Sequence, residues 1–239
     1  MRMRLTMACR AAAVAVLVAN AGAPPVAETR QSAAARVVLL NDNSGSQMLR
    51  LYYRSDTRPL FRLTTGDRRE AVIRALADHL NGAEVRVATF GDRFLVSPAW
   101  LRTTDELLEA FNRIMQAGGP SPIWDALHEA VGLFEELPRT RAVILISDGR
   151  ASSNSHSFQD ALKRVQRAGV AVYVAALDAR DNRVFNRERP GDPTESLRAL
   201  ARATGGDYAE PEIVDLADVC AAFAKAIARA AARQQPPPR

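Results

Sequence analysis

The chain has 239 residues, 47% of them hydrophobic and 25% charged, with few aromatics, which is enough for one α/β domain with a sizeable core. Its formal net charge of +5 does not point to nucleic acid. Residues 1–21 hold three arginines and no acid, so the rest carries 29 basic against 27 acidic residues, and no dense Lys/Arg run interleaved with aromatics occurs.

Arg2, Arg4 and Arg10 precede an apolar run, residues 11–19, that is too short to span a bilayer comfortably. Ala19-Asn20-Ala21 offers a small-residue cleavage site, so residues 1–21 read as a secretory signal; the alternative is an uncleaved anchor. Cys9 lacks a leucine-led lipobox. Cleavage leaves one cysteine, Cys220, and therefore no intramolecular disulfide. Its place on a helix between Val219 and Phe223 predicts a buried thiol.

Residues 22–35 read as a linker, and Arg36 to Leu40 as the first strand. Asp67 opens a helix carrying Val72, Ile73, Leu76, Ala77 and Leu80 at helical spacing, ended by Asn81-Gly82. Val85 to Phe90 is a second strand, Gly91-Asp92 a hairpin signal, and Phe94-Leu95-Val96 a short antiparallel strand. Thr104 is expected to cap a helix bearing Leu107, Leu108, Phe111 and Ile114. The loop Gly118-Gly119-Pro120-Ser121-Pro122 leads into a helix from Ile123 to Leu137. Ala142 to Ile146 is wholly apolar, as a central parallel strand should be, and runs into Ser147-Asp148-Gly149. A helix from about Ser157 to Ala168, a strand from Val170 to Ala176, a charged loop at 178–193, a helix from Pro193 to Thr204, a short strand at Tyr208-Ala209 and a helix from Asp215 to Ala232 follow, before a Pro-rich tail at 233–239 read as disordered. Alternating strands and helices predict a doubly wound, mostly parallel sheet with helices on both faces and one short antiparallel edge strand, in a single domain over residues 36–232.

Ligands in such sheets gather at the carboxyl ends of strands. The first strand ends in Asp42-Asn43-Ser44-Gly45-Ser46, and alternation along an extended turn puts Asp42, Ser44 and Ser46 on one side. The central strand ends in Asp148-Gly149, and Ser121 precedes a helix at the same edge. Two carboxylates and three hydroxyls, without Cys or His, suit a hard cation, Mg²⁺ or Mn²⁺, rather than zinc. Seryl oxygens bound directly, with carboxylates acting partly through water, would leave a coordination position open.

These residues resemble a family. Asp42-x-Ser44-x-Ser46, Ser121 in a Gly-Gly-Pro-Ser loop before Ala126-Leu127, and Ile146-Ser147-Asp148-Gly149 look like the von Willebrand factor type A (VWA) domain with its metal-ion-dependent adhesion site. Thr89-Phe90-Gly91-Asp92 and the stretch from Leu197 to Gly206 resemble its bacterial members. The resemblance implies a Rossmann-like fold, Mg²⁺ held by Asp42, Ser44, Ser46, Ser121 and Asp148, and a partner protein whose Glu or Asp carboxylate completes the octahedron. Ser121 stands where the family has Thr, which keeps the hydroxyl; Gln47 displaces the usual Met to position 48, and Pro120 enters the loop.

Other readings bear on single residues. Asp42, Ser44 and Ser46 could instead cap backbone N–H groups in a strand-to-helix turn. Asp125 reads as a helix cap or dipole partner. His79 and His128 read as surface or interfacial imidazoles, His156 as part of a solvated loop, Trp100 and Trp124 as core, and Arg180 to Arg189 as a solvated loop. The leading function is an exported, periplasmic or extracellular, protein-binding module that is not an enzyme. The alternatives are a metal-independent envelope scaffold with a relict site, and a metal-dependent hydrolase or phosphatase. The second lacks the carboxylate two residues after Asp42, where Ser44 stands, and any Gly-x-Ser-x-Gly elbow.

Overall fold

The computed structural model describes residues 34–45, 66–80, 82–114, 118–134, 140–177, 194–212 and 214–234, with side chains from residue 70 in the first helix. The expected signal segment, most of the linker, Ser46, and the segments at 49–65 and 178–193 lie outside the described residues.

Six strands form one sheet: β1 (Ala35–Asp42), β2 (Glu84–Phe90), β3 (Leu95–Val96), β4 (Thr140–Ser147), β5 (Ala171–Ala176) and β6 (Tyr208–Ala209). Their order is β3-β2-β1-β4-β5-β6, and β3 alone runs antiparallel, along the edge of β2. Six described helices accompany it: α1 (Gly66–Ala77), α2 (Thr104–Ile114), α3 (Ile123–Gly132), α4 (Phe158–Arg167), α5 (Glu195–Thr204) and α6 (Leu216–Gln234).

The period-two pattern of the strands decides which side chain meets which helix layer. Val37 and Leu39 of β1 and Ile144 and Ile146 of β4 pack with residues of α1, α2 and α6. Val38 and Leu40, with Val143 and Leu145, pack with residues of α3, α4 and α5. Both layers are needed because β1 and β4 are apolar on both faces. Leu39, Leu40, Ile144 and Leu145 are fully buried.

Local chemistry sets the helix ends. Thr103, rather than Thr104, caps α2: its Oγ1 accepts from Glu106 N–H, while the Glu106 carboxylate accepts from the Thr103 and Arg102 N–H groups. This is the Thr-x-x-Glu box, whose Glu sits three residues after the cap. Ser157 and Asp160 make the equivalent box for α4. Helix α6 runs through Gln234, two residues into the stretch expected to be a disordered tail. Ala231, Ala232, Arg233 and Gln234 are all compatible with helix, and the prolines that are not begin only at 236. Thr140 Oγ1 also donates to Gln234 Oε1 at 3.0 Å, tying this end to the start of β4.

Candidate metal centre

The crevice follows from the strand order. The next described helix after β1, α1, packs on one face and the helix after β4, α4, on the other, so adjacent central strands are followed by helices on opposite faces. Asp42 is the last residue of β1, and Asp148 directly follows the last residue of β4.

Alternation then aims the side chains. Asp42 shares its parity with Val38 and Leu40, and Ser147 with Val143 and Leu145, so both face the α3 layer. Ser121 stands two residues before α3. The three side chains meet: Asp42 Oδ2 accepts from Ser121 Oγ at 2.8 Å and from Ser147 Oγ at 2.6 Å. Asp42 Oδ1 accepts from the Ser44 backbone N–H at 3.0 Å, and Asp148 Oδ1 from the Arg150 N–H at 3.0 Å. Asp42, Ser44, Ser121, Ser147 and Asp148 are all buried.

Burial pushes the Asp42 carboxyl above its ordinary pKa; the Ser147 and Ser44 hydrogen bonds pull it back, and the negative charge of Asp148 pushes it up again. The net direction is up. Among the described residues no cationic side chain pairs with Asp42. Two buried carboxylates in mutual repulsion are costly unless a positive charge joins them.

A second loop carries Ser121 to this point. Gly118 N–H donates to Asn43 O at 3.0 Å, Gly45 N–H to Gly119 O at 2.9 Å, and Asp92 N–H to Gly118 O at 3.2 Å. The tips of β1 and β2 thus grip the 118–119 backbone. Gly119 has φ +77°, and a Cβ there would lie 1.8 Å from Asp92 Oδ1 and 2.9 Å from Asp92 N. Only glycine fits so close a backbone approach. Pro120 does not prevent Ser121 from reaching Asp42.

The start of α3 is also sewn to the loop after β4. Ser121 N–H donates to Ser152 Oγ at 2.9 Å, and Ser152 N–H to Ser121 O at 2.8 Å. Trp124 N–H donates to Asn154 Oδ1 at 2.7 Å. Asp125, expected from the sequence to be a helix cap or dipole partner, does lie in the first turn of α3, but its carboxylate serves the loop after β4 rather than capping its own helix. It accepts from Ser155 N–H at 2.8 Å, from His156 N–H at 2.7 Å and from His156 Nδ1 at 2.8 Å. His156, expected in a solvated loop, is therefore anchored, and its ring stacks on His128 with centroids 4.2 Å apart.

Of the five expected ligands, Asp42, Ser44, Ser121 and Asp148 gather at one pole, and Ser46 lies outside the described residues. The gathered donors are carboxylate and hydroxyl oxygens, a set that fits a hard divalent cation. Among the described residues no group of three or more His, Cys, Asp and Glu side chains forms a metal cage, so any such site depends on its hydroxyls. Ser147 is the residue that sequence reasoning missed. Its signal was a hydroxyl closing the apolar run of residues 142–146, directly before Asp148. Elsewhere, Trp100 packs on Phe134, Trp124 on Phe158, and Cys220 is buried with its thiol pushed up to about 12.

Comparisons with known proteins agree with this fold. The von Willebrand factor type A domain matches residues 37–210. No curated protein matches the chain significantly. Among solved structures, the von Willebrand factor domain of the type V pili tip protein Mfa5 from Porphyromonas gingivalis is similar with a TM-score of 0.61 and 10% identity, over 87% of this chain and 99% of that one. Proximal thread matrix protein 1 from the mussel byssus, in a form described as having a zinc-occupied MIDAS motif, gives 0.61 and 16%, over 82% of this chain and 46% of that one. An aerotolerance-related membrane protein from Bacteroides fragilis gives 0.57 and 17%, over 82% and 99%. At these identities the structures share the fold, while the match to residues 37–210 shows the family: the chain belongs to the von Willebrand factor type A domain family.

Proposed function

We propose that this protein is an exported binding module that engages a partner protein through a divalent cation. The cation would be held by Asp42, Ser44, Ser46, Ser121 and Asp148, with Mg²⁺ or Mn²⁺ favoured by the all-oxygen donors. One observation carries the reading: two buried carboxylates stand at the carboxyl ends of β1 and β4, with hydroxyls of Ser121 and Ser147 turned onto one of them. A bound cation supplies positive charge there, and a position left open on it attracts a carboxylate of the partner. On this reading the site binds a partner and carries out no catalysis.

Several neighbours support the reading without deciding it. One is described with zinc in its adhesion-site motif, another is a pilus tip protein, and a third is the pilus adhesin SpaC from Lactobacillus rhamnosus. Export rests on the sequence of residues 1–21. No helix among the described residues is long and apolar enough to cross a membrane.

A second reading, a scaffold that works without metal, is favoured by one observation. Asp42 already accepts three hydrogen bonds from the protein itself. Capture of proteins from an envelope extract separates the two. The unaltered protein should retain a partner in Mg²⁺ and release it in chelator, while Asp42→Ala retains none in either. Retention indifferent to both chelator and Asp42→Ala would favour the scaffold.

A further inference from the structure

We propose that Asp125, outside the ligand set, is a positioning residue that holds Ser121 in place by clasping the loop after β4. The link to metal affinity rests on the metal reading above; the link to Ser121 does not.

Asp125 lies in the first turn of α3, four residues after Ser121 in the chain. Its carboxylate reaches across to the loop and accepts two backbone N–H groups and one imidazole nitrogen. Burial alone would raise its pKa, but the Ser155 and His156 donors outweigh it and hold the carboxyl below its ordinary range. It is therefore an ionised acceptor at neutral pH, and hydrogen bonds to charged acceptors are the strong ones.

The clasp has two ends. At one, Asp125 grips Ser155 and His156, and His128, three residues further along α3, stacks against the His156 ring at an interplanar angle of 12°. At the other, Ser152 bonds both the N–H and the C=O of Ser121. Asn154 lies between and takes the Trp124 N–H, one of the donors a helix start leaves unsatisfied.

Ser153 shows that this loop is held rather than relaxed. Its φ is +54°, and it is the one non-glycine residue with positive φ among the described residues. An L-residue in that region carries a cost, and such conformations persist where surrounding contacts over-determine them. The contacts that do so belong to its neighbours, Ser152 and Asn154, and to Asp125. Releasing Asp125 therefore loosens Ser152, and with it the backbone that aims the Ser121 hydroxyl at Asp42.

The test compares Asp125→Ala and Asp125→Asn with the unaltered protein in two measurements. The first is amide hydrogen exchange by NMR in the absence of metal, at Ser121 and Ser152, with Leu145 as the core reference. Asp125→Ala should speed exchange at Ser121 and Ser152 by about 10- to 100-fold, the effect of losing hydrogen bonds to a charged acceptor, and leave Leu145 unchanged. Asp125→Asn should fall between, because its amide oxygen still accepts. The second is Mn²⁺ titration, in which Asp125→Ala should bind about 10- to 100-fold more weakly, as is typical when a residue orienting a ligand is lost.

Unchanged exchange at Ser121 in Asp125→Ala overturns the positioning role. Faster exchange with unchanged Mn²⁺ affinity overturns its link to the metal site. If the unaltered protein binds no Mn²⁺, the metal reading fails, and the exchange at Ser121 still decides the role of Asp125. Should Asp125→Ala not fold, Asp125→Asn and Asn154→Ala carry the same comparison, and wild-type exchange at Ser121 in both would overturn it.

Discussion

Ser147 Oγ donates to Asp42 Oδ2 at 2.6 Å and joins the ends of the two central strands, while Gly149 N–H donates back to Ser147 Oγ at 3.1 Å. One hydroxyl thus supports the buried carboxylate of β1 and the turn that carries Asp148.

Ser147→Ala should therefore act at both places. It leaves a buried carboxylate short of a donor and a buried N–H short of an acceptor, a cost of about 1–3 kcal/mol. Thermal melting should fall by several degrees. The Asp42 carboxyl, already raised, should rise further. Melting at the wild-type temperature would show that Ser147 is dispensable.

Asp42→Asn should stabilise the metal-free protein at neutral pH. Burial and the charge of Asp148 raise the Asp42 pKa above its unfolded value, so the folded state binds the proton more tightly than the unfolded chain. Stability from this group is present at acid pH and lost as pH rises through the folded pKa. The advantage of Asn is thus greatest at neutral pH and shrinks on acidification toward the ordinary carboxylate range. Saturating Mg²⁺ should reverse the order, since a ligand of the folded state stabilises only the protein that binds it. Melting curves with and without Mg²⁺ check both signs. A metal-free Asp42→Asn that melts lower at pH 7 contradicts the electrostatic argument.

Gly119→Ala should damage the site from the side of the loop. The exposed Asp92 carboxylate can swing away from a new Cβ, but the Asp92 backbone nitrogen, 2.9 Å from it, cannot. With φ at +77° as well, the cost is about 1–3 kcal/mol. Ser121 should move, and Mn²⁺ affinity should fall with it. Wild-type affinity in Gly119→Ala would separate Ser121 placement from this backbone contact.

Cys220 should resist alkylation in the folded protein. Burial among the residues of α6 and the sheet pushes its thiol up to about 12, so the thiolate that reacts is scarce at neutral pH. Iodoacetamide should label it only in denaturant. Rapid labelling of the native state would show that α6 opens.

The architecture was largely legible in the sequence because its signals are periodic. The short, β-branched apolar run of residues 142–146 reads as a strand buried on both faces, and the hairpin at Gly91-Asp92 marks the antiparallel edge strand. The candidate site was legible where its residues stand at strand ends, as Asp42 at the end of β1 and Asp148 just after β4 do. Ser121 was placed by its position before a helix. Less was legible where function depends on contacts between distant segments. Nothing local distinguishes an Asp125 that caps its own helix from one that grips residues thirty positions away. Ser147 looked like the end of a strand, because its bond to Asp42 exists only once β1 and β4 are neighbours. The cap of α2 shifted from Thr104 to Thr103 because two threonines in succession offer the same chemistry, and the spacing to Glu106 chose between them.

The proposed function requires that Asp42, Ser44, Ser46, Ser121 and Asp148 hold a divalent cation. Calorimetric titration of the purified protein with Mg²⁺, Mn²⁺ and, given the zinc-bearing mussel structure, Zn²⁺, beside Asp42→Ala, tests it most directly. Saturable binding at one site, lost in Asp42→Ala while the circular dichroism stays unchanged, is the expected result. Binding that survives Asp42→Ala, or no binding of any of the three ions by the unaltered protein, would contradict the claim and leave the metal-independent scaffold as the better reading.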